Sequence, residues 1–273
     1  RERRISRTTN WAGLPKPAAN GLILCVVFML KRFHILKPEA GEGKISMRHI
    51  KVLLSMGVPM GLQYSITAIG SVILQSAVNG LGAVTVAAVT AGSKISSFCV
   101  AVTDALGATM ATYCGQNVGA GKLDRVREGV KVATIIGIIY SAIVFILMIF
   151  VGGELPKLFI DASKTDVIEK ARIFLLWNSG FYFALIFVNV WRNSIQGMGF
   201  PMFAILSGVC EMFARGIVGF AGVKYFGFVA ACMGSPLAWI IADMFLIPGF
   251  LYCLKKLGKV FGEKRTREEF QYE

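Results

Sequence analysis

The sequence predicts an all-α membrane protein: a six-transmembrane-helix bundle, preceded by a truncated helix and a cytoplasmic linker. Three observations carry this. Of 273 residues, 55% are hydrophobic and only 16% are charged. The mean hydropathy is +0.63. Soluble domains carry about 25% charged residues, so this apolar excess is larger than one buried core absorbs. Six long apolar segments follow one another, Val52–Val78, Val84–Tyr113, Val130–Val151, Ile173–Gln196, Met202–Val223 and Phe228–Leu254. Each is long enough for a hydrocarbon core that takes about 20 helical residues to cross. Finally, the basic residues are distributed unevenly between the two sets of connections.

In hydrocarbon every backbone N–H and C=O must be paired within the protein, which leaves helices and closed barrels. These runs exceed the length of barrel strands, so helices are predicted. Ahead of them, residues 1–20 form a basic, polar segment that looks non-native or disordered. Residues 21–33 read as the remnant of a preceding transmembrane helix, because the apolar stretch Gly21–Leu30 is too short to span. Residues 34–51 read as a cytoplasmic linker, 52–254 as the six-helix lobe and 255–273 as a cytoplasmic tail. The expectation is a chain whose N-terminal part lies upstream. Breakers fall between spans: Asn79-Gly80-Leu81-Gly82-Ala83 and Gly199-Phe200-Pro201 predict tight turns. Pro59 predicts a kink in the first span, Pro236 and Pro248 weaker points in the last. The 152–172 connection is amphipathic and predicts a short surface helix.

The net charge of +13 raises nucleic acid as a partner, and its placement answers the question. One set of connections holds 17 Lys and Arg: six in 31–51, four in 122–131, Arg192, and six in 255–267. The other holds five: four in 152–172, and Lys224. Cytoplasmic loops carry the Lys/Arg excess, so both ends of the lobe are expected inside, at the plasma membrane. The basic excess is then a topology signal, with the lipid bilayer as partner and no nucleic acid. Six cysteines contain no C-x-x-C pair, so neither zinc nor a redox motif is indicated. His34 and His49 sit among Lys and Arg and read as solvated loop residues. Gly115–Lys122 resembles a phosphate loop only superficially. Gln116 stands where that pattern needs Gly, and Leu123 where it needs Ser or Thr. No metal site, cofactor or catalytic set is indicated, which predicts a non-enzyme.

Polar residues fall on helical stripes. In the fourth span Asn178, Tyr182, Asn189 and Asn193 lie within about 60° of arc at 100° per residue. Thr90, Ser93, Lys94, Ser97, Asp104 and Thr112 share a face of the second span; Gln63, Thr67 and Ser71 share one of the first. Ser207, Glu211 and Arg215 share a face of the fifth span, and the last adds Ser235 and Asp243. Such faces avoid lipid. They line either a hydrated cavity or a set of hydrogen-bonded helix contacts. As cavity-lining candidates the stripes supply Gln63, Thr67, Ser71, Asn178, Tyr182 and Asn189. Candidates for a buried charge or an ion-coupling group are Glu211, Arg215, Lys94 and Asp243. Glu211 and Arg215 are neighbours at i,i+4, and Lys94 is a possible partner for Glu211. Asp104 is expected near the interface, solvated.

Together, Gly57-Val58-Pro59-Met60-Gly61-Leu62-Gln63, the loop Gly115-Gln116-Asn117-Val118-Gly119-Ala120-Gly121-Lys122, Gln196-Gly197-Met198-Gly199 and Glu211-x-x-x-Arg215 resemble the C-terminal lobe of a multidrug and toxic compound extrusion (MATE) transporter. The resemblance covers residues 22–257. It implies two six-helix lobes enclosing a V-shaped cavity, the N-terminal lobe being absent from this chain. It also implies export of small organic, often cationic, compounds in exchange for Na⁺ or H⁺. One subgroup carries a coupling Glu in the first helix of this lobe and an Asp in the fourth. Here Thr67 stands at the first position, and the fourth span has no acidic residue. Another subgroup, which this chain resembles better, couples through an Asp of the N-terminal lobe. Two other readings remain open: a lipid-linked oligosaccharide flippase of the same superfamily, which dense cavity cations would favour, and a non-transporting membrane interaction subunit.

Overall fold

The structure, a computed structural model, describes residues 16–32 and 46–271, with side chains over 23–32 and 46–262. Helices α1 (Lys16–Arg32), α2 (Met47–Asn79), α3 (Ala83–Gly119), α4 (Leu123–Val151), α5 (Thr165–Gly180), α6 (Tyr182–Gly197), α7 (Pro201–Ile217), α8 (Val223–Phe226) and α9 (Phe228–Gln271) account for nearly all of it. Two compact units divide between Val52 and Leu53. In the first, α1 is an apolar helix of 17 residues, short of a full span. Residues 1–15 and 33–45, which hold most of the expected basic segment and linker, lie outside the described residues.

The second unit holds the bundle. α2, α3, α4, the α7–α8 run and α9 are each long and apolar enough to cross a membrane. α5 and α6 are long and apolar enough only when taken together as one span, bent by 48° at their junction. The sequence reads this span as continuous from Ile173 to Gln196. The bend has a local cause: Gly180 carries no side chain, and the Phe181 N–H turns back to the Asn178 carbonyl at 3.1 Å, closing a tighter turn. The 152–172 connection contains a single short turn, Leu155–Leu158, before α5 begins at Thr165. α2 continues through Pro59, and α9 runs unbroken through Pro236 and Pro248 well past Leu254. The last helix therefore absorbs much of the expected tail. A π-helical turn over Val218–Gly222 joins α7 to α8, a local widening that the apolar pattern does not signal.

α6 is the centre of the bundle. Its Tyr182, Ile186, Val188 and Val190 are almost fully buried, and it packs on α3, α4 and α9. Between α6 and α7 the chain reverses through Gly199 at φ 90°, a conformation that favours glycine, and Pro201 opens α7 where its missing N–H costs nothing. In hydrocarbon, close packing rather than water exclusion holds helices together, so small residues mark their contacts. Gly197 is the tightest against backbone: a Cβ there would collide with the carbonyl oxygen of Ala111 on α3, an atom that cannot rotate away. Gly197→Ala is expected to push α6 from α3 and to destabilise the bundle by about 1–3 kcal/mol, the usual cost of overpacking. Thermal unfolding of the variant in detergent measures it.

Candidate functional site

The bend in the fifth–sixth helix pair places polar side chains where a straight span would not. Asn178, 5% exposed, ends α5 with its amide Nδ2 donating to the Phe174 carbonyl at 3.0 Å and to the Cys232 carbonyl of α9 at 3.5 Å. Tyr182 opens α6 and stacks obliquely on Trp239 of α9, ring centres 6.1 Å apart. Opposite them, α3 presents Ser93, Ser96, Ser97 and Asp104; α2 contributes Ser71 and α9 contributes Ser235. These residues surround a cavity of about 460 Å³. Five helices thus meet at one polar space with an aromatic wall. Among the described residues, Asp104 is the only charged one that lines it.

The remaining stripe residues lie elsewhere. Asn189 sits at the contact of α6 with α3, its Nδ2 donating to Thr103 Oγ1 at 2.9 Å and to Asp104 Oδ1 at 3.0 Å. Gln63 is buried, and its Nε2 donates to Thr67 Oγ1 at 3.4 Å. Both pack at Gly208, so these two seat α2 against α7 and are not among the residues around the cavity. Of the six cavity candidates, Ser71, Asn178 and Tyr182 surround the space. Asp104, expected at the interface, is instead a cavity residue near the middle of α3.

Buried charges gather between α6 and α7. Glu211, 2% exposed, accepts an ion pair from Arg215 Nη2 at 3.1 Å on Oε2, and from Arg192 Nη2 on Oε1. Arg192 Nε also donates to Ser207 Oγ at 2.9 Å, and Arg215 Nη1 reaches the Thr67 carbonyl of α2 at 3.4 Å. The sequence reads Arg192 as a connection residue at the cytoplasmic face. The structure corrects this: Arg192 is inside α6 and 7% exposed. Lys94, the partner considered for Glu211, is exposed on α3, with Nζ 6.0 Å from the Phe159 ring. Asp243 of α9 is buried, within Coulombic reach of Arg192 and Glu211, and its Oδ1 has no hydrogen-bond partner among the described residues.

One carboxylate thus bridges two guanidiniums in a place that solvates neither. Removing it leaves buried charge uncompensated, which costs about 3–5 kcal/mol. Glu211→Gln is accordingly expected to lower the thermal midpoint of the detergent-solubilised protein sharply, whereas Glu154→Gln, at an exposed pair with Lys157, leaves it unchanged. An unshifted midpoint in Glu211→Gln would remove the cluster from the list of structural supports.

Discontinuous helices beside a polar cavity recur in membrane carriers. The chain belongs to the MatE family, whose model matches residues 59–220. It is similar to the probable multidrug resistance protein YoeA of Bacillus subtilis, at 23% identity over 57% of this chain and 35% of that protein. It is also similar to an FAD transporter of Shewanella oneidensis, at 21% identity over 59% of this chain and 35% of the relative. Among solved structures, an outward-facing multidrug resistance MATE family transporter of the MOP superfamily superposes with a TM-score of 0.64. It is 20% identical and matches 72% of this chain and 44% of its own. The chain therefore spans about a third of the length of these curated relatives. The all-α membrane fold expected from the sequence is the fold these neighbours share.

Proposed function

We propose that this chain is the C-terminal lobe of a secondary active exporter that moves small organic compounds across the plasma membrane in exchange for Na⁺ or H⁺. A second, N-terminal six-helix lobe would close the other side of the cavity. Rocking of the two lobes would expose that cavity alternately to each face. The observation that carries the reading is the 460 Å³ space itself, where α2, α3, α5, α6 and α9 converge. Its size suits a wall for a drug-sized molecule, since pockets for such ligands measure about 300–1,000 Å³. Its lining, serines and an amide beside Phe174, Tyr182 and Trp239, offers hydrogen bonds and ring surface together.

The relatives support the class, a probable multidrug resistance protein in one case and an FAD transporter in the other. Their cargoes differ, so the cargo of this chain is read from its own cavity. A flippase for anionic lipid-linked sugars would favour cavity cations, and none of the residues around this cavity is Lys, Arg or His. We place both ends of the lobe in the cytoplasm, on the 16-to-five excess of Lys and Arg that remains on that side once Arg192 is set inside α6.

Asn178 is the residue on which the cavity wall most depends, because it joins the bend to α9. Asn178→Leu in the complete transporter is expected to slow efflux of a fluorescent dye about tenfold, equivalent to losing about 1.4 kcal/mol. Membrane insertion should be preserved, because the replacement is apolar. Dye efflux from energised cells, normalised to the protein in the membrane, checks it. Unchanged efflux at equal abundance would count against the cavity as the cargo path.

A further inference from the structure

We propose that the seam between α7 and the lysine-bearing end of α9 holds an anionic phospholipid: Lys255, Lys256 and Lys259 take its phosphate, and Phe203, Phe245 and Tyr252 bed its acyl chain. The site needs only the membrane-spanning bundle, and none of its residues lines the cargo cavity.

The lysines stand at headgroup depth. The apolar run that opens at Phe228 is about 40 Å long by Lys255, against a hydrocarbon core of about 30 Å. At 100° per residue the three lysines span about 100° of arc, and Tyr252 falls between Lys259 and Lys256. All three are exposed. So are Met244, Leu251 and Tyr252, one to three turns earlier on the same side of the helix. An outward apolar stripe thus ends in three cations, which is the order of chain and phosphate in a phospholipid.

The seam beside this stripe is aromatic. Phe203 of α7 stacks on Phe245 of α9 with ring centres 5.9 Å apart, and meets Tyr252 at the same distance. Gly249 admits the Phe203 ring, since a Cβ there would stand 3.0 Å from its Cδ1. Lys256 Nζ lies 5.5 Å from the centre of the Phe200 ring, in the turn that opens α7. The same lysines lack a counter-ion. No Asp or Glu occurs in 197–210 or in 244–262. Among the described residues, none of the three makes an ion pair. At the opposite end of the bundle the cations are better matched: Lys157 pairs with Glu154, Arg172 with Glu169, and Lys170 Nζ donates to Thr85 Oγ1. Basic clusters between membrane helices suit anionic headgroups. A soluble anion would use the lysines and leave the aromatic seam without an occupant.

The test uses the full chain reconstituted in phosphatidylcholine bilayers with a trace of spin-labelled lipid. Electron spin resonance reads the share of label immobilised on the protein. Spin-labelled phosphatidylglycerol is expected to associate about fivefold more strongly than spin-labelled phosphatidylcholine, the scale of one lysine at an anionic headgroup. Lys255→Gln, Lys256→Gln and Lys259→Gln together should bring the two lipids level. The corresponding triple Arg variant, which keeps the charge, should retain the preference. Lys157→Gln with Lys164→Gln, at the opposite end of the bundle, should leave it unchanged. Inorganic phosphate, compared with chloride at equal ionic strength, should not displace phosphatidylglycerol, because it has no chain to lie in the seam. Equal association of the two lipids with the wild type overturns the proposal, and so does a preference that survives the triple Gln variant. A preference lost equally from the opposite-end variant also overturns it, by making the attraction a matter of net charge. Displacement by inorganic phosphate gives the lysines to a soluble anion and overturns the lipid assignment.

Discussion

A polar side chain inside a hydrocarbon core has no solvent to return to. Its hydrogen bonds must be made with protein or with water held by protein. This constraint organises the bundle more than hydrophobicity does, because lipid tails solvate Leu and Ile as well as any core. The outer faces of α2 and α4 show it: long apolar side chains such as Val72, Ile143 and Phe150 are exposed without penalty. What must be placed with care is the minority of serines, amides and charges. They fall into three groups: the Glu211 cluster, the Asn189 contact and the polar cavity.

These groups are joined through the middle of the bundle. α6 sends Arg192 to Glu211 on α7, and Asn189 to Asp104 on α3. Arg215 carries the first network on to the Thr67 carbonyl of α2. At its other end, α6 begins at the bend where Asn178 binds the Cys232 carbonyl of α9. A movement of α6 would thus be felt by every helix that borders the cavity or carries a buried charge. Broken helices are common where membrane carriers bind their ligands, because the interruption frees backbone and turns side chains toward the site. Here the interruption falls between Asn178 and Tyr182, the two residues of that helix pair that line the cavity together with Phe174.

The six spans are legible in the sequence because length and apolarity alone decide them. The bend is not. Gly180 is an ordinary glycine among many, no proline stands between Ile173 and Gln196, and the turn depends on the Phe181 N–H finding the Asn178 carbonyl. Helical periodicity correctly puts Asn178, Tyr182 and Ser71 on polar faces. It also groups Gln63 and Thr67 with Ser71, although only Ser71 borders the cavity. Shared phase on one helix says nothing of which neighbour each turn meets, and α2 meets α7 at the level of Gln63. Arg192 escapes for a different reason. An arginine close to a glycine-rich turn reads as an interfacial cation, yet it lies five residues before Gly197, about a turn and a half inside the helix. The signal available was Glu211: one carboxylate beside Arg215 on α7 leaves an oxygen free for a second donor.

Charge in this bundle is therefore of two kinds, and the difference lies in how many acceptor positions are already filled. Each Glu211 oxygen is held by a buried guanidinium, Arg192 on one and Arg215 on the other, and the group acts as a fixed strut between α6 and α7. That makes it costly to disturb and a poor site for a further cation, which would meet two fixed positive charges. Asp104 receives one amide and keeps the rest of its lone pairs at the edge of a polar space. Both carboxylates sit on long apolar helices, and composition alone would rank the more deeply buried one as the functional group. Hydrogen-bond inventory separates them: two guanidiniums fix Glu211 as a structural support, while a single amide leaves Asp104 open at the cavity edge.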